Sequence, residues 1–375
     1  MVCNIKQNTL IKKVHKDIDR KFDKVIYINI QNFSINGCAI YQKRKCFFKI
    51  TDEKHFIKEI NGYLISYKEI PTMTILFVKY LSHCKKYLIA YNFNNKVKEN
   101  SGLLNDILVK NDKTNIKDKS TDRELKNILD VYSTIYSGKK VFRSCCPSNI
   151  FFIERINSRL DKWYMNCSDF KKIIIINGKY NFNLQKILKE TKEYFLNNKN
   201  KKYQCILCQG DPNTLNISST PCFFDLATAG YNPIIGELAI TIISTLIYDN
   251  YFCPKYHSKS YYLHELAIEQ SSLFEPNLHY KYNKSNIYIN SDIITSDIRK
   301  KYILSYLEIL KKNNIHIGKE IKYYIIMRLL CVFNVRKMSK KDYYYSLYLV
   351  CYFYKNIDNN FYKSISNIIN EMGCI

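Results

Sequence analysis

A two-lobed α+β fold is expected for this chain, a small antiparallel β-sheet lobe carrying one helix followed by a larger, mostly helical lobe. Three observations predict it. Short β-branched and aromatic runs separated by turn residues fill residues 1–92, a polar stretch comes next, and beyond Asp225 apolar residues recur with a period near 3.6. The length of 375 residues suits two lobes and a sizeable core, and 46% hydrophobic with 24% charged residues excludes a chain disordered throughout.

Residues 24–30 are β-branched and aromatic enough for a first strand. A turn at Asn36-Gly37 leads into a second over 38–42, and the basic turn Lys43-Arg44-Lys45 leads into a third over 46–50. Residues 52–67 set Phe56, Ile60, Tyr63 and Leu64 at helical spacing before Pro71, which predicts one helix. Strands over 74–79 and 87–91 complete an amino-terminal lobe of residues 1–92. Residues 93–121, rich in Asn, Lys and Asp around the apolar island 102–108, read as a polar connector or insertion. Thr121-Asp-Arg-Glu124 has capping-box spacing and opens a helix toward Tyr136, within a carboxy-terminal helical lobe of residues 122–375. That lobe holds an apolar run at 173–176, a helix over 183–196 and a strand-and-loop segment over 204–230. Helices are expected at about 234–249, 260–272, 297–312, 318–334, 340–355 and 359–371.

A formal charge of +25 is of the kind that binds nucleic-acid phosphates. The basic clusters at 43–45, 199–202 and 336–341 are short and far apart, so they read as solvated surface, and no specific nucleic-acid partner is expected. The longest apolar stretches, 234–248 and 343–354, fall short of the ~18–20 residues a bilayer-spanning helix needs, so they read as core helices with no membrane role. Fourteen scattered cysteines and a start, Met1 to Lys6, without an apolar signal core point to a reducing cytoplasm. Cys205 and Cys208 have the spacing of a zinc or redox pair, but without a second such pair they read as core thiols, and His257 and His264 are not expected to ligate metal.

Chemistry concentrates in residues 204–233. Two short apolar strands, 204–208 and 221–224, flank a polar turn, and each delivers an aspartate at or just past its end. Asp211, Asn216 and Asp225 are then able to converge, one carboxylate orienting a hydroxyl while the carboxamide oxygen and the other carboxylate offer hard ligands for magnesium. The alternative reading is that these residues cap turns.

Gln209-Gly210-Asp211, Asn216 five positions after the aspartate, and Asp225 at the end of the next strand resemble the catalytic and metal-binding loops of the aminoglycoside phosphotransferase and choline kinase family. The run Asp225-Leu-Ala-Thr-Ala-Gly-Tyr-Asn-Pro233 resembles the segment after the metal aspartate in that family. The resemblance covers about thirty residues closely and residues 20–260 loosely. It implies a protein-kinase-like fold and an ATP- and Mg2+-dependent transfer of the γ-phosphoryl group to a hydroxyl of an aminoglycoside-, amino alcohol- or sugar-like small molecule. Asp211 would be the catalytic base, with Asn216 and Asp225 holding magnesium over ATP. Lys49 on the third strand would touch the α- and β-phosphates, and Glu59 on the next helix would hold its ammonium. Ala90, Tyr91 and Asn92 would lie at the interlobe hinge beside adenine, the turn 32–37 would cover the phosphates, and Glu237 would support the loop. Glu265, Glu269 and Glu275 with Tyr261 and Tyr262 are candidates to surround the acceptor.

Two departures stand out. The family usually has His where this chain has Gln209, and the short step from Asn216 to Asp225 implies a tight hairpin through Ser218, Ser219 and Thr220. Both leave room for a catalytically impaired nucleotide-binding relative.

Overall fold

The computed structural model describes residues 12–14, 16–18, 21–30, 34–92, 102–113, 119–261 and 263–375. Five strands, β1 (Lys24–Ile30), β2 (Ser34–Tyr41), β3 (Arg44–Thr51), β4 (Thr74–Leu81) and β5 (Lys86–Asn92), form one antiparallel sheet in the order β1-β2-β3-β5-β4. Helix α1 (Glu53–Ser66) connects β3 to β4, and Asp52 caps it by accepting the His55 N–H at 2.9 Å. The sheet and its connecting helix are what the residue pattern predicts, whereas residues 12–14 and 16–18 are helical as well, Val14 and Ile18 packing into the sheet's core, a helix the residue pattern does not predict.

Alternation along the strands decides which side chains face the second lobe. On β3, Cys46, Phe48 and Ile50 point into a core shared with Val14, Ile18 and Leu88. Phe47 points to the opposite face, where Phe56 and Ile60 of α1 pack, and Lys49 shares that parity. On β5, Ala90 joins the first core while Ile89 and Tyr91 join the second. The buried stripe of α1 is unusual: Glu59, Gly62 and Ser66, at three- and four-residue spacing on one helical face, are its buried residues.

The larger lobe is mostly helical. Helices α2 (Leu104–Asp112), α3 (Lys119–Tyr136), α4 (Pro147–Arg155) and α5 (Leu184–Asn197) precede α6 (Ile234–Ile243), all ten residues of which are buried. Helices α7 (Glu265–Gln270), α8 (Asp297–Lys312), α9 (Ile321–Cys331), α10 (Lys340–Asn356) and α11 (Phe361–Glu371) complete it, with α9 packed on α6. Strands β6 (Val141–Arg143), β9 (Tyr203–Cys208) and β10 (Gly230–Asn232) form a small sheet with β9 in the middle, which aims the chain after Cys208 at the other lobe. A second small sheet is built from β7 (Ile173–Ile176), β8 (Tyr180–Asn183), β11 (His279–Tyr282) and β12 (Asn286–Asn290). Among the described residues no helix is long and apolar enough to cross a membrane.

Three expectations are corrected. Asn36-Gly37 is no turn: both residues lie inside β2, Gly37 paired with Ile28 and with Phe48, because ladders on both sides outweigh the local turn preference. Residues 31–33 lie outside the described residues, so of the proposed phosphate-covering turn 32–37 only 34–37 is described, as strand. Within the polar stretch 93–121, the apolar island extends into α2, whose Leu104, Ile107, Leu108 and Val109 join the core of the large lobe. The segment after Asp225 is not helical throughout. Residues 260–272 hold only the short α7 with flanking 3-10 turns, and strands occupy 279–282 and 286–290.

Candidate active site

Lys49 leaves β3 toward α1 and there meets two carboxylates. Its Nζ lies 2.8 Å from Glu59 Oε2 and 2.8 Å from Asp225 Oδ1, so one ammonium ties strand, helix and the distant loop together. Burial alone would lower the Lys49 ammonium, but Asp225 and Glu59 more than offset it and hold it well above its ordinary range. Glu59 is satisfied on its other oxygen as well: Tyr91 Oη donates to Oε1 at 3.0 Å and Leu226 N at 3.1 Å. Asp225 differs, for its side chain remains 49% exposed although Lys49 holds its carboxyl below the usual carboxylate range. It also adopts φ 51°, a left-handed conformation that aspartate tolerates and that concentrates at functional sites.

The close fit of α1 on this loop needs a residue without a side chain. A methyl group at Gly62 would run into the Leu226 carbonyl. Gly62→Ala is therefore expected to push α1 off the loop, breaking the Glu59–Leu226 contact. The result should be a destabilisation of about 1–3 kcal/mol in urea unfolding, well beyond an ordinary helix-surface substitution.

Asp211 is positioned from β9. Gly210, at φ 87°, turns the chain just before Asp211, where a Cβ would meet the Thr228 carbonyl. Gln209, 1% exposed, clamps the two loops together: its Nε2 donates to the carbonyls of Phe224 at 2.8 Å and Asp225 at 3.1 Å, and its Oε1 accepts the Asp211 N–H at 2.7 Å. The side chain at this position thus ties both loops together through its own amide. Asn216 Nδ2 donates to the Asp211 carbonyl at 2.9 Å, and among the described residues its Oδ1 accepts no hydrogen bond. Residues 216–224 form the tight hairpin implied by the short spacing, closed by Phe224 N to Asn216 O at 2.9 Å and Ser218 N to Cys222 O at 3.0 Å.

Glu237 anchors the loop from below. It is fully buried on α6, accepts the Gly210 N–H at 2.9 Å and the Tyr136 hydroxyl at 2.9 Å, and burial pushes its carboxyl up. Glu237→Ala would strand the Gly210 N–H in the core and leave Tyr136 Oη with the Tyr306 hydroxyl alone, a cost of about 1–3 kcal/mol that equilibrium urea unfolding should report.

The remaining predicted positions are more scattered. Ala90 and Tyr91 pair with β3 on one side and β4 on the other, which leaves their backbones inside the sheet, and Asn92 ends the strand. Glu265 and Glu269 are exposed on α7, Glu275 pairs with Lys341 at 2.9 Å, Tyr261 is buried, and Tyr262 lies outside the described residues. Cys205 and Cys208 are buried free thiols. His264 Nδ1 lies 2.6 Å from Asp106 Oδ1, and His257 packs edge-on against Phe333.

Arg328 escaped the sequence reading. Its Nη1 lies 3.5 Å from Asp211 Oδ1, an oxygen that is buried and accepts no hydrogen bond, while Nη2 donates to Ser244 Oγ at 3.0 Å. A legible signal existed, since Arg328 is the one charge within the apolar run 325–333.

Sheet lobe, strand lysine, helix glutamate and a pair of aspartate loops below them make a protein-kinase-like arrangement. No family model and no curated protein matches the chain. Similar solved structures include a thermostable mutant of aminoglycoside phosphotransferase APH(4)-Ia in its apo form, 10% identical, covering 92% of this chain and 98% of its own at a TM-score of 0.49. Spectinomycin phosphotransferase APH(9)-Ia in complex with ADP and spectinomycin is 11% identical, with coverages of 96% and 98% and a TM-score of 0.32. A microcompartment-associated aminopropanol kinase is 6% identical, with coverages of 92% and 96% and a TM-score of 0.33.

Proposed function

We propose that the protein is a small-molecule kinase that transfers the γ-phosphoryl group of ATP to a hydroxyl. One observation carries this reading: a strand lysine held at 2.8 Å by both a buried helix glutamate and a half-exposed aspartate 176 residues away, the constellation that orients nucleotide phosphates. A turn-capping role for Asp225 would not require an ammonium from the other lobe.

Two protein oxygens, the unengaged Asn216 Oδ1 and the open Asp225 carboxylate, suit magnesium, which usually keeps waters and phosphate oxygens as its remaining ligands. When bound, the ion neutralises charge on the phosphates. Lys49 binds phosphate oxygens, with Glu59 keeping its ammonium in place. Asp211, its backbone fixed by Gln209 and Asn216, orients the acceptor hydroxyl and takes its proton. The acceptor oxygen forms a bond to the γ-phosphorus, the bond from that phosphorus to the bridging oxygen breaks, and ADP leaves with the electron pair. Positioning and charge, more than covalent participation, supply the rate.

An ATP-consumption screen across aminoglycosides, amino alcohols, hydroxy acids, sugars, sugar phosphates and nucleosides tests the reading. ADP release that depends on one acceptor class supports it. Nucleotide binding without turnover on any compound would replace it with a nucleotide-binding relative lacking activity.

A further inference from the structure

Resting on that kinase reading, we infer that the acceptor is an anionic hydroxyl compound, one bearing a carboxylate or phosphate, held by Arg155, Arg159 and Arg328 beside Asp211. Arg155 and Arg159 stand four residues apart on the helical segment that begins with α4, so they share a face, and Arg328 reaches the same neighbourhood from α9. All three act on one another electrostatically, and Arg155 and Arg328 both act on Asp211.

Three guanidinium groups placed together repel, and like charges four apart on a helix are destabilising without a counter-ion. Internal partners are few. Among the described residues Arg155 donates to the Phe151 carbonyl at 3.0 Å and lies over the Phe151 ring, Arg159 donates to the Cys331 carbonyl and lies over the Trp163 ring at 5.5 Å, and neither pairs with a carboxylate. Arg328, 8% exposed, has one carboxylate nearby, and its Nε has no hydrogen-bond partner.

Arg299 shows what a purely structural arginine looks like in this same chain: fully buried, it grips Asp112 through two hydrogen bonds of 2.8 Å and gives a third to the Thr245 carbonyl at 3.0 Å. The cluster at Asp211 lacks that satisfaction. Burial, then Arg159, pulls the Arg155 guanidinium down to about 9, which leaves it cationic at neutral pH. Partial burial, Arg159 and Arg328 likewise hold the His257 imidazole below its ordinary range. A cationic acceptor would add to this repulsion, whereas a carboxylate or phosphate would relieve it in the fork geometry that arginine offers. Among the described residues none of the expected carboxylates, Glu265, Glu269 or Glu275, pairs with the cluster, and Glu275 is engaged by Lys341 at 2.9 Å.

The test is a charge-sorted acceptor panel on the whole protein: hydroxy acids and sugar phosphates, neutral sugars and glycerol, amino alcohols and aminoglycosides. Magnesium-dependent ADP binding is measured alongside. Turnover confined to the anionic class, with Arg155→Gln raising KM about tenfold or more while ADP affinity holds and Arg155→Lys recovers part of it, is the expected result. Turnover on neutral or cationic acceptors, or an anionic KM untouched by Arg155→Gln, overturns the inference. If nothing turns over, calorimetric titration with inorganic phosphate decides: saturable binding weakened in Arg155→Gln supports the anion site, and no binding overturns it. Failure of magnesium-dependent ADP binding would separately sink the kinase reading. Thermal unfolding of each variant excludes loss of fold as the cause.

Discussion

Asp211→Ala should lower phosphoryl transfer by about 10²–10⁴-fold while leaving magnesium-dependent nucleotide binding intact. The separation arises from how Asp211 is held. Its N–H is fixed by Gln209 and its carbonyl by Asn216, so the substitution keeps both loop contacts and deletes only the carboxylate. Removing that carboxylate also leaves Arg328 without its nearby anion at 3.5 Å, so a modest loss of stability accompanies the change. Steady-state rates with the best acceptor, read beside ADP titration, check it. Unchanged turnover would move the proton-accepting role to another group.

The second large effect belongs to Lys49→Met. Nucleotide affinity should drop about 10–100-fold, the worth of a charge-assisted contact to phosphate. Stability should fall too, because Glu59 is nearly fully buried and would lose its cation while keeping Tyr91 and Leu226 as donors. Breaking a buried pair costs about 3–5 kcal/mol, and the lower end applies because the second partner, Asp225, is half exposed and screened. Glu59→Gln separates the two consequences. It keeps an acceptor for Leu226 N but removes the charge, so affinity should suffer more than stability in paired titration and urea experiments.

Much of this arrangement is readable from residues alone where charged and polar residue types fall into simple local patterns. The order strand lysine, helix glutamate, then two aspartates is a local reading repeated four times, and the structure brings Lys49, Glu59 and Asp225 into one contact, although the expected strand 221–224 is reduced to isolated bridges at Phe223. The departure at Gln209 was legible as a substitution but not as a clamp, because its three contacts bridge Asp211 to residues 224 and 225, and hydrogen bonds across loops leave no spacing signature. The Asn36-Gly37 turn failed for the opposite reason: a strong local signal yielded to ladders with β1 and β3. Arg155 and Arg159 on one helix and Arg328 on another become neighbours only through tertiary packing, which hid the cluster beside Asp211 in a chain with 58 lysines and arginines. Helix α2 was visible as the apolar island of an otherwise polar stretch, but composition averaged over 93–121 concealed it.

The most direct measurement is calorimetric titration of a non-hydrolysable ATP analogue into the full chain with magnesium and with chelator, repeated on Asp225→Asn. Saturable binding that requires magnesium in the native chain, and loses that requirement or disappears in Asp225→Asn, is the outcome required by a nucleotide site built from Lys49, Glu59, Asn216 and Asp225. Binding indifferent to magnesium in both proteins, or none in the native chain, would contradict it.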